Sequence, residues 1–129
     1  MKHIEVVAAI IFNNNKILCV KRSIGKHDYI SLKFEFPGGK IEQNETNEEA
    51  LKREIKEELH MEIEVGEKFL TVQHDYPDFR LTMHSYICTC KAPDLRLEVH
   101  LDYKWLPAEE LGSLDWAAAD IPIAEKLMA

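Results

Sequence analysis

From Thr46 to Leu59 the chain contains neither Gly nor Pro, and Ala50, Leu51, Ile55 and Leu59 recur at three- and four-residue spacing. That period fits a helix with one buried stripe. The other apolar segments are short β-like runs: residues 4–12 and 16–22 around the turn-forming Asn13-Asn14-Asn15, then 62–75 and 80–90 around Tyr76-Pro77-Asp78, then Tyr103 to Leu106. The Thr46 to Leu59 segment is the clearest helix in the chain, set among strand-like runs.

The breakers divide the rest. Residues 23–33 mix Ser, Gly, Lys, His and Asp without a period, which predicts a mobile loop before the short strand Phe34-Glu35-Phe36. Pro37-Gly38-Gly39 predicts a turn, Pro107 to Leu111 a helical turn with Pro at its start, and Ala117 to Met128 a C-terminal helix with Pro122 in its first turn. There is no internal repeat, low-complexity tract or linker, so the 129 residues are expected to form a single domain, 1–129, with one active site.

Charge bounds the partners. Lys and Arg total 16 against 23 Asp and Glu, a formal charge of −7, and such a surface repels a nucleic-acid polymer. A small anionic substrate would need a cation as escort. The apolar run Val6 to Phe12 is too short to span a membrane and lacks a signal-peptide cleavage pattern, so the expected location is cytoplasmic with no membrane partner. Cys19, Cys88 and Cys90 sit in β-like runs and read as small hydrophobes, with no disulfide expected. The six His show no zinc-ligand spacing.

On a helix each residue advances by about 100°, so Glu54, Glu57 and Glu58 share one arc beside the stripe that faces the core. Acids on a helix usually form a solvated face, and Lys52, Arg53 and Lys56 offer ordinary partners for one. Against that stands their crowding: like charges beside a core face destabilise one another unless a cation joins them, and carboxylate oxygens are the ligands Mg²⁺ prefers.

The full pattern is longer. Gly39, Glu45, Arg53-Glu54-Ile55, Glu57-Glu58 and Met61 stand at the spacing of the Nudix box, and the segment Phe34-Glu35-Phe36-Pro37-Gly38-Gly39-Lys40-Ile41-Glu42 resembles the lead into that box in MutT-type nucleoside triphosphate pyrophosphohydrolases. The early hairpin, Trp105-Leu106 and Ala119-Asp120-Ile121-Pro122 extend the resemblance over essentially the whole chain. The chain departs from the box at His60, where the pattern has Gly. A non-Gly residue there costs on the order of 1 kcal/mol if the helix ends in the left-handed conformation. Asn44, where relatives often carry Gly, raises the same question in milder form.

The resemblance implies an α/β/α sandwich with a mixed sheet. It implies Mg²⁺-dependent hydrolysis of a nucleoside triphosphate to the monophosphate and pyrophosphate, with Mn²⁺ as the alternative metal and nucleotide-pool sanitisation as the setting. The alternatives it leaves are a nucleotide sugar or dinucleotide as substrate, or a noncatalytic ligand-binding domain. Glu54, Glu57 and Glu58 would bind metal, Glu54 or a neighbour would accept the proton of the attacking water, the Gly39 region would offer its carbonyl, and Arg53 would orient the acids.

The resemblance also implies a further acid as metal ligand from the loop before the last strand, where Glu98 and Asp102 compete, Glu98 being preferred, while Val99 stands where relatives often have Glu. Arg22 reads as a substrate contact or a surface Arg at a strand end, and Glu35 as a residue reaching metal-bound water or the sugar, or an edge-strand charge. Asp120 reads as a base contact or a helix N-cap. A base-reading Asp120 would lean towards cytosine or a modified base, because a carboxylate accepts from an exocyclic amine. Phe79, Tyr76 and Phe34 read as base-stacking or core aromatics. The expected assembly is a monomer or homodimer.

Overall fold

The computed structural model describes residues 1–25 and 27–129; Lys26, in the segment expected to be a mobile loop, lies outside the described residues. One mixed sheet holds β1 (Lys2–Asn13), β2 (Lys16–Arg22), β3 (Phe34–Glu35), β4 (Gly38–Lys40), β5 (Ile63–Asp75), β6 (Phe79–Cys90) and β7 (His100–Leu106). Its main path runs β3-β2-β1-β6-β5, with β4 on β1 and β7 on β2. Among these strands only β1 and β6 pair in parallel.

The hairpin loop Asn14-Asn15 has positive φ at both residues, 50° and 62°, which matches the twist of the strands it joins. Asn tolerates that conformation better than most residues do.

Alternation along β1 builds two cores. Val7, Ala9 and Ile11 pack with Leu18, Val20 and Cys88 under Ala50, Leu51, Ile55 and Leu59 of helix α1 (Asn47–Leu59). Ala8 and Ile10 face the other way, towards Leu111, Trp116, Ile123 and Ala124, the last two from helix α2 (Ile121–Met128). Helices on both faces of one mixed sheet make the α/β/α sandwich.

Helix α1 starts at Thr46, whose side chain accepts from Glu49 N while Glu49 accepts from Thr46 N, a reciprocal cap. It ends at His60, which adopts φ 56° and ψ 36°. The imidazole meets Glu98 at 2.7 Å, so the residue that strains the cap also ties it to the segment before β7. Asn44 is left-handed too, at φ 68°.

Three local expectations are corrected. Gly38 and Gly39 are not turn residues: the chain bends at Pro37, and both glycines then pair with β1 at ordinary φ. The final helix does not run from Ala117. A 3₁₀ turn at Ala118–Asp120 precedes α2, because Ala119 N donates to the Tyr76 hydroxyl and the Asp120 side chain is drawn to Phe36 N. The last strand starts at His100 instead of Tyr103, since a register shift after Lys21 lets Arg22 pair with His100.

Candidate active site

A cavity of about 920 Å³ opens where the C-terminal part of β2, β3, β4 and the second half of α1 meet the turn between β5 and β6. Gly38, Gly39, Glu54 and Glu58 line one end; Tyr76, Phe79, Ala117 and Asp120 line the other. Arg22, Glu35 and His100 also face it, along with residues 23–25 and His27 of the connecting loop.

The first end explains both glycines. A Cβ on Gly38 would overlap the Val7 carbonyl, so β4 can lie on β1 only without one. A Cβ on Gly39 would strike the Glu54 carboxylate, so Gly39 is the floor on which that carboxylate rests.

Arg53 fixes the surrounding acids. Its guanidinium donates to Glu45 at 2.7 and 3.0 Å, to Glu54 at 3.1 Å, to Glu57 at 3.2 Å and to the Lys40 carbonyl at 3.1 Å. That fan joins β4, the following loop and α1, and it holds the Glu45 carboxyl below the usual range. Glu54 is nearly enclosed, while Glu57 has a side chain 61% exposed and does not line the cavity in this arrangement.

Glu58 is the anomaly. Its Oε1 is buried without a hydrogen-bond partner among the described residues. Burial, then the neighbouring Glu54, push its pKa up to about 8. An orphaned carboxylate oxygen beside a second carboxylate is costly and calls for a proton or a cation. As placed, no three His, Cys, Asp or Glu side chains among the described residues are arranged to hold a metal ion. What fits a cation is the donor chemistry: Glu54, the partnerless Glu58 oxygen, and Glu57 on the same helix, exposed and oriented by Arg53.

At the opposite end Asp120 is 4% exposed and accepts from Phe36 N at 3.0 Å. It makes no side-chain cap to α2. Burial, then the charge of Glu35, raise its pKa well above the usual range. Tyr76 and Phe79 form a wall with their rings 5.1 Å apart, and Tyr29 stacks on Tyr76 at 5.2 Å. Phe34 lies apart from the cavity, packed edge-on against Trp116 in the core under α2.

Between the ends, Glu35 accepts from Arg22 at 3.1 Å and meets His100 Nε2 at 3.3 Å. The charge of Glu35 is felt by Glu58 and Asp120 alike. Neither of the acids expected ahead of the last strand lines the cavity: Glu98 is bound by His60 and Arg96, and Asp102, which lies within β7, accepts from its own neighbour's amide, Tyr103 N. Val99 and His100 line the cavity there. His100 escapes sequence reasoning because a lone His carries no spacing signal; its place at the head of a strand directed at the site is its only trace.

Residues 6–126 match the family profile of the NUDIX domain. The chain is 38% identical to a CTP pyrophosphohydrolase of Escherichia coli over 129 residues, covering 100% of this chain and 94% of that one. It is 30% identical to an 8-oxo-dGTP diphosphatase of the same organism, covering 98% of each. A solution structure of a Staphylococcus aureus MutT protein of the Nudix hydrolase family superposes with a TM-score of 0.76 at 44% identity, covering 99% of this chain and 98% of that one. The acidic helix on its glycine floor, the two-ended cavity and this full-length likeness together place the chain in the Nudix family, as a MutT-type hydrolase of phosphoanhydride bonds.

Proposed function

We propose that the chain hydrolyses a nucleoside triphosphate to the monophosphate and pyrophosphate with Mg²⁺, and that cytosine is its preferred base. The observation that carries this is the pairing, in one cavity, of a partnerless carboxylate oxygen on Glu58 at one end with a buried, non-capping Asp120 at the other. The cavity volume lies within the range of about 300–1,000 Å³ usual for small-ligand sites. The relative named a CTP pyrophosphohydrolase supports the choice of base.

Nudix hydrolases generally use divalent metal ions, and Glu54, Glu57, Glu58 and the Gly39 carbonyl are the groups of this chain that would hold one. Such an ion, when bound, neutralises phosphate oxygens and lowers the pKa of water. Arg53 holds Glu54 and Glu57 at set positions, so its work is orientation. Glu54, resting on Gly39 and oriented by Arg53, is the group that would take a proton from an attacking water. Arg22 supplies a fixed positive charge for the phosphates. Tyr76 and Phe79 flank the base, and Asp120 meets its edge. Glu98 and Asp102, held as they are, take no part in this arrangement.

The test is product identification over a panel of ordinary, methylated and oxidised triphosphates, nucleotide sugars and dinucleotides with Mg²⁺. Monophosphate and pyrophosphate from CTP or dCTP is the expected result; cleavage of nucleotide sugars alone, or of nothing, sinks the reading. On the best substrate, Glu57→Gln should lower kcat on the order of a hundredfold or more, because it removes a charge without changing shape.

A further inference from the structure

His100 has an environment that a purely structural histidine would not keep. Its side chain is 5% exposed, it lines the cavity, and Nδ1 is buried with no partner among the described residues. Nε2 stands 3.3 Å from Glu35 Oε2. A carboxylate oxygen accepts, so Nε2 carries the hydrogen of that contact. A buried ring with one nitrogen unsatisfied is unfavourable, and most core histidines satisfy both. Here the ring is oriented for the benefit of Glu35.

Glu35 is thereby gripped from both sides, with Arg22 on Oε1 and His100 on Oε2. The grip comes from three places in the chain: the end of β2, β3, and the start of β7. It lies along the cavity between the Glu54–Glu58 end and Asp120, near enough for its charge to act on both. If the phosphates occupy the first end and the base the second, the group lying over Glu35 is the sugar. A carboxylate fixed in place, with lone pairs remaining after its two contacts, is an acceptor for hydroxyl donors.

We propose that His100 is a positioning residue that holds Glu35 as the acceptor for a furanose hydroxyl, so that the Arg22–Glu35–His100 cluster sets the sugar preference of the enzyme. The inference rests on the triphosphate reading above. A polar site built to receive a hydroxyl discriminates against the analogue lacking it, since its acceptor is left unpaired.

The experiment compares CTP, dCTP and the 2′,3′-dideoxy nucleotide as substrates, and the corresponding monophosphates in equilibrium binding, for wild type, His100→Leu, His100→Gln and Glu35→Gln. In the wild type, kcat/KM should fall by about tenfold at one of the two hydroxyl deletions. His100→Leu should flatten that step, chiefly through KM. His100→Gln, whose amide can still donate to Glu35, should restore it, and Glu35→Gln should weaken it. Monophosphate binding should show the same ordering. A merely structural His100 would lower the melting temperature and scale all three substrates alike. Unchanged sugar discrimination in a folded His100→Leu protein overturns the inference and leaves the triphosphate reading standing. A wild type that discriminates among sugars by less than about twofold also overturns it; a wild type that cleaves no triphosphate overturns both.

Discussion

The two ends of the cavity are assembled in opposite ways. At the carboxylate end, Glu54, Glu57, Glu58 and Arg53 all come from one helix, and the groups that join them, among them Gly39, the Lys40 carbonyl and Glu45, come from the segment just before it. At the Asp120 end, the partners are Phe36, Tyr76 and Ala119, which meet only through the folded sheet. The first end is set by helix periodicity; the second depends on the register of strands and on a 3₁₀ turn held by side chains. The first should therefore tolerate strain elsewhere in the fold, and the second should be the seat of specificity and of variation.

The largest expected effect separates the adjacent glycines that border the carboxylate end. Gly39→Ala pushes its methyl into the Glu54 carboxylate, the tip of a side chain that can move, so the protein should fold and lose turnover by about a hundredfold or more. Gly38→Ala meets the Val7 backbone instead, which cannot move without parting β4 from β1, and should cost about 3 kcal/mol or more. Circular dichroism melts beside kcat measurements check the pair. Equal loss of fold in both would mean that Gly39 serves the sheet and not the acid.

At the other end, Asp120 should make base choice depend on pH. A neutral acid offers one donor and one acceptor and can pair with cytosine or uracil; an ionised one only accepts, and so favours the cytosine amine. Because burial raises the Asp120 pKa, the preference for CTP over UTP should grow as pH rises through that raised value. A change of roughly tenfold in the ratio of kcat/KM is expected. Asp120→Asn puts a group that does not titrate at this position and should abolish the pH trend; a trend that survives the substitution would remove Asp120 from base reading.

The same contrast bears on what the sequence makes legible. The helix with its acidic arc and the strands on either side can be read because their signals are local: spacing, caps and turn residues. The glycine pair reads as a turn because both residues permit one, and only the closeness of Val7 and Glu54 shows why side chains are absent. Asp120 stays divided between capping and base contact in the sequence, and the Phe36 amide on its carboxylate is what removes the cap. Glu98 and Asp102, the acids expected near the last strand, do not line the cavity, whereas His100, which pairs with Arg22, does.

Metal and pH should act on stability through the carboxylate end. Glu58 is raised from 4.5 to about 8 in the folded chain, so between those values the unfolded chain releases a proton that the folded one retains. The folded state then binds more protons, and stability without metal falls as pH rises across that window. Mg²⁺ binding to the folded chain alone should reverse the loss, raising the melting temperature by several degrees near the upper end of the window and by less in its middle. Thermal melts with Mg²⁺ and with a chelator measure this; a Mg²⁺ shift equal at both pH values would detach Glu58 from the cation.

The smallest effect lies at the helix end that connects the acidic helix to the β7 side of the cavity. His60 is left-handed, a conformation that costs a non-Gly residue about 1 kcal/mol, and Gly would remove that cost. The substitution also deletes the contact with Glu98, but the two side chains are 44% and 43% exposed, and exposed ion pairs contribute little. His60→Gly should therefore stabilise slightly, by less than about 1 kcal/mol, and should stabilise more in a Glu98→Ala background, where no contact is lost. Urea denaturation of the wild type, the two single variants and the double variant gives the coupling between His60 and Glu98 directly. Destabilisation by His60→Gly that disappears in the Glu98→Ala background would mean that this pair outweighs the backbone strain. The end of α1 would then be fixed by a residue distant in sequence, like Asp120, and the division between a locally built end and a long-range one would no longer hold at the helix terminus.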